Sequence, residues 1–572
     1  MRTPRTLAAT VRRLLPWLAA AVLAACGGSN SGEPAAAAET PATRDEAARF
    51  LTQASFGPTE ADIDRVMAVG YRAWIDEQLA LPATSHRATW EATDTALKAT
   101  GSAAGQDQVF ETFWKQAVTG PDQLRQRVAF ALSQIFVISM VDGNVGDNPR
   151  AVAAWMDMLG SDGLGTYRQL LESVSRHPMM GYYLSHLRNQ KADARTGRVP
   201  DENYAREVMQ LFSVGLVELN EDGTAKGGDT YTPADIAGLA KVFTGWSWSC
   251  PDWPDNGCFF NGQVSGVSDP DRSFKPMLGY AQYHSTEAKT FLGTTIAAQS
   301  SSDPAGSLAA ALDAIAAHPN VGPFIGRQLI QRLVTSNPSP EYVAAVSRAF
   351  ANNGSGVRGD LKAVVAAVLM HPEARRQSDT AGKVREPVLR LSALLRAFPY
   401  ASETGRWRVG NTDNPATSLG QTPLRSPSVF NFYRPGYVAP GTASGNAGLV
   451  APELQIAHET SAAGYVNYLR DALSFGIGAT NTTSNRRDVQ ADFSAELALA
   501  DQPAALVDRV AGKLAYGGAG TALKTEIADA IAKIAIPAAT GSNQAQIDTA
   551  KRNRVNAAIL LVLASPEFLV QK

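Results

Sequence analysis

The sequence predicts an all-α protein, a large multi-helix body of helical hairpins joined by long irregular loops. Three observations carry that expectation. Apolar residues recur at helical spacing through most of the chain. The periodic segments are bounded by helix-starting and helix-stopping residues. Strand-like alternation is scarce. With 572 residues, 45% hydrophobic and 19% charged, the chain has globular composition and enough length for one large domain or two to four smaller ones.

In chain order, RDEAARFLTQASF opens a helix after Thr43, Gly57-Pro58-Thr59 breaks it, and EADIDRVMAVGYRAWIDEQLALP resumes it. QVFETFWKQAV, QLRQRVAFALSQIFVISM and AVAAWMDMLG keep the same period. ENYAREVMQLFSVGL follows, with Asp201 placed as its N-cap. Thr232-Pro233-Ala234-Asp235 reads as N-cap, proline at the first helical position and an acid in the first turn, so it starts the helix ADIAGLAKVF. SLAAALDAIAAH, FIGRQLIQRLV, EYVAAVSRAF and DLKAVVAAVLMH are the next helices, and PAALVDRVAGKLA, ALKTEIADAIAKIA and NRVNAAILLVLAS the last. Long loops are expected near 222–300 and 405–450. FIGRQLIQRLV through VLMHPEA resembles, in pattern, LVDRVAGKLA through VLASPEF. Duplication and recurrent helix-hairpin chemistry both account for that weak repeat.

The N-terminus predicts export. MRTPRTLAATVRR carries Arg2, Arg5, Arg12 and Arg13 and no acid, and the apolar run after it is too short to span a bilayer. Leu23-Ala24-Ala25-Cys26 resembles a lipoprotein processing site, so residues 1–25 are expected to be a signal peptide and Cys26 the lipidated first residue. Several acyl chains on one cysteine would give a durable membrane anchor. Gly27 rather than aspartate after the cysteine points to the outer membrane. Residues 26–43, small, polar and proline-containing, read as a flexible tether. The helical body then runs over 44–572, either whole or subdivided as 44–300 and 301–572. No other run is long or apolar enough to cross a membrane.

Formal net charge is −2, and without the four leader arginines 48 basic residues face 54 acidic ones. That balance excludes a general nucleic-acid binder, which needs a basic field to neutralise phosphates. In an oxidising compartment the two remaining cysteines, Cys250 and Cys258, are expected to form a disulfide closing CPDWPDNGC.

Candidate reacting groups are few. On a helical wheel of ENYAREVMQLFSVGL, Tyr204, Val208, Leu211 and Phe212 share one face. Glu202, Asn203, Arg206, Glu207 and Gln210 share the other. A solvated helix face with an i,i+4 ion pair explains this, and so does a polar stripe turned inward for acid–base work. Glu207, at the edge of the apolar face, is the best acid–base candidate, with Glu202, Arg206 and His284 as its companions. His177, His318 and His371 precede prolines or lie at helix ends, where a capping role suffices. Asn220, Asp222 and Asp229 do not match the spacing of a calcium loop, and no zinc-ligand spacing appears. No phosphate loop, dinucleotide fingerprint, serine elbow or haem-attachment motif is present, so no metal or cofactor is expected.

Phe243, Trp246, Trp248, Trp253, Phe259 and Phe260 gather around the two cysteines. They read either as a loop folded onto the body or as a rigid aromatic platform for sugar rings or peptide side chains. The loop GQTPLRSPSVFNFYRPGYVAPG, 420–441, holds Arg425 and Arg434 and either finishes a cleft with the Trp loop or wraps the body.

FLTQASFGPTEADID, ENYAREVMQLFSVGLVELNEDGT, YTPADIAGLAKVFTGWSW, FIGRQLIQRLVTSNPSPEYV, GKVREPVLRL and SPSVFNFYRPGY, taken in order, resemble the bacterial family called domain of unknown function 1800. The match covers nearly all of the chain from about Arg44 onward. The resemblance implies a large, exported, mostly helical protein without an assigned activity, so it supplies no catalytic residue. Members often carry His-Asp where this chain has His284-Ser285, which weakens an enzymatic expectation. The resemblance also implies an exported partner from a sulfatase-like family of unknown function, number 1501. The expected function is therefore a lipid-anchored envelope protein that binds a glycan polymer or a protein through Trp246, Trp248, Trp253, Arg425 and Arg434. The alternatives are a hydrolase of envelope or extracellular polymer using Glu207 or Glu202 with His284, and a scaffold for secretion or assembly.

Overall fold

Helices begin where the sequence supplies a cap. Thr43 accepts from the Glu46 amide at 3.2 Å and starts the helix Arg44–Ala54. Thr59 and Asp62 exchange hydrogen bonds in a capping box that starts Glu60–Val69. Thr232 and Asp235 do the same, with Pro233 at the first position, for Pro233–Ala240. His177, His318 and His371 each accept a backbone N–H two residues on through Nδ1, at 3.2 Å. The structure is a computed structural model that describes residues 39–376 and 381–572. Among these residues twenty-six α-helices carry the fold, and thirteen strands of two to five residues serve as local clasps. The protein is mainly α, as its periodicity predicts.

Several boundaries differ from the sequence reading; the run QLRQRVAFALSQIFVISM, for one, is helical only over Gln123–Ser133. The segment after Gly57-Pro58-Thr59 is two helices, Glu60–Val69 and Tyr71–Ala80, because Gly70 between them has φ +84°. A side chain at Gly70 would meet the Glu39 carbonyl at 2.9 Å. In ENYAREVMQ the helix is Asn203–Gln210, and Asp201 accepts the Asn203 amide at 2.8 Å from just outside it.

The leader and Cys26 lie outside the described residues. Of the tether, Pro41 is buried and the Glu39 carbonyl accepts from Tyr71 N at 2.9 Å, so residues 39–43 lie against the helices. Among the described residues no helix is long and apolar enough to cross a membrane.

The internal echo in the sequence corresponds to a repeated arrangement. Val321–Leu333 lies on Pro340–Ala351, and both contact Leu361–Met370. Pro503–Ala515, Thr521–Ala532 and Gln544–Ala564 are mutually packed in the same order. Each triplet ends in a four-residue Pro-Glu helix, Pro372–Arg375 or Pro566–Leu569. A two-residue strand follows each, Lys383–Val384 or Val570–Gln571, and these two strands pair antiparallel with each other. Residues from 39 onward form one compact unit, in which Val321–Leu333 also packs on Gln123–Ser133 from the first half. Trp114, Trp155, Tyr167, Tyr204 and Tyr342 are among the largest fully buried side chains. From 403 to 442 the chain has neither helix nor strand, the long loop expected there.

Candidate functional site

The helix Val321–Leu333 has two faces. Val321, Ile325, Leu329, Ile330 and Leu333 are core. Phe324, Arg327, Gln328, Gln331 and Arg332, spaced three and four residues apart, line a cleft of about 500 Å³. Two further segments complete the walls. One is 210–223, contributing Gln210, Leu211, Leu216, Val217 and Leu219; the other is 429–436, contributing Val429, Phe430 and Arg434. Gln134 and Ile135 close the floor.

Each wall is held by buried polar groups. Asn320 is 1% exposed; its Nδ2 donates to the carbonyls of Val214 at 3.0 Å and Val217 at 2.8 Å, and its Oδ1 accepts from Leu219 N at 3.0 Å. The Tyr167 hydroxyl donates to the Phe212 carbonyl at 2.6 Å. At Gly215 φ is +71°, and a Cβ there would lie 2.7 Å from the Phe324 ring, so only glycine lets this wall approach that helix. On the other wall Gln331 Nε2 donates to the Pro435 carbonyl at 3.2 Å. The Arg434 amide donates to Gln455 Oε1 at 2.8 Å.

The charges of the cleft are one-sided. Arg327 and Arg434 are exposed at its mouth, the Arg434 guanidinium 4.6 Å from the Phe430 ring centroid. Arg332, 4% exposed, lies over the Tyr433 ring at 4.9 Å and donates through Nη2 to the Gln134 carbonyl at 3.3 Å. Among the described residues none of these three guanidiniums pairs with a carboxylate. The lining holds no Ser, Thr, Cys, His, Asp, Glu, Lys or Tyr side chain, so it supplies neither a nucleophile nor a general base. What it can do is bind. Guanidiniums between apolar walls take up an anionic group, and exclusion of water strengthens that attraction.

Under the floor lies a buried ionic network that fixes Arg332 and Gln134. The Arg332 carbonyl, near its helix's C-terminus, accepts from Arg127 Nη2 at 2.6 Å and Lys383 Nζ at 2.9 Å. Lys383 also pairs with Glu453 at 3.0 Å, both side chains essentially inaccessible. Gln134 Nε2 and Gln421 Nε2 both donate to Glu386 Oε2, at 2.5 and 2.6 Å. Burial pushes the Arg127 and Lys383 pKa values down, with Glu386 and Glu453 opposing the shift. Burial pushes the Tyr433 phenol well above its ordinary value.

The candidates from the sequence are dispersed. Glu202 and Arg206 form an exposed i,i+4 pair at 3.4 Å. Glu207 is 8% exposed, its Oε2 has no partner, and burial raises its pKa. His284 is fully buried; Nδ1 donates to the Thr244 carbonyl at 2.7 Å, and Nε2 meets Ser307 Oγ at 3.0 Å. Burial lowers the His284 pKa to about 4. None of these four lines the cleft. Cys250 and Cys258 form the expected disulfide. Trp246 and Trp248 are each 5% exposed and belong to the core; Trp246 Nε1 donates to the Val242 carbonyl. Trp253 and Phe260 alone of that cluster are exposed. Arg425 is held by Asp413 at 2.6 Å and Gln106 at 2.8 Å, whereas Arg434 reaches the cleft. Asp222 accepts from Thr224 N and Oγ1 in a turn, and no cluster of three metal-binding side chains occurs among the described residues.

Sequence reasoning missed Arg327, Gln328, Gln331 and Arg332. Their signal was present: VGPFIGRQLIQRL has two arginines and two glutamines at helical spacing and no acid to pair them.

The fold and the cleft define a class: a large helical protein with an apolar, arginine-bearing groove devoid of reacting groups. The chain belongs to the family described as protein of unknown function (DUF1800), whose model matches residues 49–570. No curated protein and no solved structure matches it.

Proposed function

We propose that this is an exported binding protein, tethered to the cell envelope through a lipid on Cys26, whose cleft receives an apolar ligand bearing an acidic group. The observation that carries the reading is the three guanidiniums, Arg327, Arg332 and Arg434, facing one apolar cleft without carboxylate partners. A chain of net negative charge gains little from such a surface except attraction of an anion. The lining of carboxamides and guanidiniums, without a nucleophile or base, favours binding over hydrolysis. Leu211, Leu216, Val217 and Leu219 make aliphatic walls, which suit an acyl or peptide ligand better than a sugar ring. Of the aromatic loop, Trp253 remains the outward-facing indole.

The test uses the chain from residue 27 onward and 1-anilinonaphthalene-8-sulfonate, an apolar anion that fluoresces on burial. Saturable binding is expected, weakened roughly tenfold by Arg434→Gln at unchanged melting temperature, the loss of one charged contact. Binding equal in both proteins overturns the reading. The anchor is tested separately by palmitate labelling of the full chain, which Cys26→Ser should abolish while releasing the protein from membranes. Wild-type protein that is unlabelled and absent from the membrane fraction sinks that part.

A further inference from the structure

A second cavity lies beside the paired strands that end the two helical triplets. It holds about 250 Å³ and shares no lining residue with the cleft. Three segments meet there. Arg49 and Thr52 stand one turn apart on Arg44–Ala54, Arg385 directly follows the strand Lys383–Val384, and Glu567 comes from Pro566–Leu569, with the exposed Lys572 beyond it. Arg385 is 4% exposed, and its backbone is fixed on both sides: its N–H donates to the Leu569 carbonyl at 2.8 Å, and its carbonyl accepts from Arg390 Nε at 2.6 Å. The Phe568 ring, 4.9 Å from the guanidinium, packs against it. Nε and Nη1 are closed off and unpaired, which leaves Nη2 as the edge that meets the cavity. Burial lowers the Arg385 pKa. Among the described residues neither Arg49, Arg385 nor Lys572 pairs with a carboxylate. A buried cation without a partner is unfavourable, and an anion in the cavity relieves it.

The opposing charge narrows the class of anion. Glu567 lines the same cavity and pairs with no cation; its Oε2 is closed off, which leaves Oε1 to the cavity. An ionised carboxylate only accepts hydrogen bonds. A ligand that suits both sides turns negative oxygens to the arginines and a proton to Glu567. Inorganic phosphate keeps a P–OH at neutral pH and sulfate has none. A phosphate monoester, with a second pKa of about 6, has mostly lost its own.

We infer that this cavity binds a free phosphate ion, its oxygens held by Arg385 and Arg49 and its hydroxyl donated to Glu567. The inference is independent of the ligand proposed for the cleft. Phosphate bound here touches the first helix, the segment after Lys383–Val384 and the last short helix, so it raises the melting temperature of the folded chain.

Isothermal titration calorimetry on the chain from residue 27 onward, near neutral pH and at constant ionic strength, compares phosphate, sulfate and glycerol 3-phosphate. Phosphate is expected to bind saturably and roughly tenfold more tightly than the other two. Arg49→Gln should weaken phosphate roughly tenfold, and Arg385→Met at least as much. Arg434→Gln, in the cleft, should leave it unchanged. Glu567→Gln, whose amide can donate, should bring sulfate level with phosphate. Melting curves check each fold, and where Arg385→Met fails to fold, Arg49→Gln and Glu567→Gln decide the matter. The assignment is overturned by absence of phosphate binding, by binding that Arg49→Gln leaves intact or Arg434→Gln weakens, or by sulfate or glycerol 3-phosphate binding wild type as tightly as phosphate does.

Discussion

Glu207 shows how burial sorts residues that look alike in sequence. Its carboxylate is 8% exposed with Oε2 unpaired, and burial holds its pKa above the ordinary value, so ionisation at pH 7 costs stability. Glu207→Gln is therefore expected to leave the fold unchanged or to stabilise it by about 1 kcal/mol, read as a higher melting midpoint at pH 7. Dye binding should stay as in wild type, since Glu207 lies off the cleft; a clear drop in midpoint would show that the ionised carboxylate is favourably paired. Caps such as Thr43, Thr232 and His177 were legible because a cap acts on backbone two or three residues away. Arg425 and Arg434 were not separable, since an acid twelve residues earlier, Asp413, occupies only the first. Nor could the sequence distinguish Trp246 and Trp248, which face the core, from Trp253, which faces solvent. An aromatic cluster suits either placement until the surrounding elements are known.

At the level of elements, the helix Val321–Leu333 joins the cleft to the interior, lining the cleft with one face while its end is held by Arg127 and Lys383. The Lys383–Glu453 pair ties the strand Lys383–Val384 to the turn Pro452–Ile456. Glu453→Gln removes the partner of a buried ammonium and is expected to cost about 3–5 kcal/mol, measured by urea unfolding at pH 7. A loss under 1 kcal/mol would mean that Glu386 or the helix-end carbonyls suffice to hold that charge. The helices themselves were legible, because their period and caps are local properties. The cleft was not, because it joins 134–135, 210–223, 324–332 and 429–436, segments brought together only by packing between distant helices. The opening motif ENYAREVMQLFSVGL illustrates the split. Its charged residues stay off the cleft, and its less conspicuous Gln210, Leu211 and Gly215 form a wall of it.

Over the whole molecule, burial of neutral histidines predicts acid sensitivity. His177, His186 and His284 are buried, and burial lowers their pKa values to about 3, 4 and 4. His186 stacks on Tyr204 at 3.9 Å, and His177 meets Trp155 edge-on at 5.0 Å. Unfolded, each titrates near pH 6.5, so below that pH the unfolded chain binds more protons than the folded one. Their contribution is fully present above pH 7 and is lost as pH falls through 6.5 toward 4. Each histidine contributes a slope of up to about 1.4 kcal/mol per pH unit below its unfolded pKa. Urea midpoints should therefore fall progressively from pH 7 to 5.5, and a flat profile would show that these rings are protonated in the fold. One further consequence follows from the strands Lys383–Val384 and Val570–Gln571, which end the two matching helical triplets and pair antiparallel. In this pairing Val384 faces Val570 and Lys383 faces Gln571. The two triplets are thus clasped to each other through their C-terminal ends. The cleft draws on only the first of these triplets, through Val321–Leu333, so substitutions in the second, 503–569, are expected to reach its lining only through this clasp.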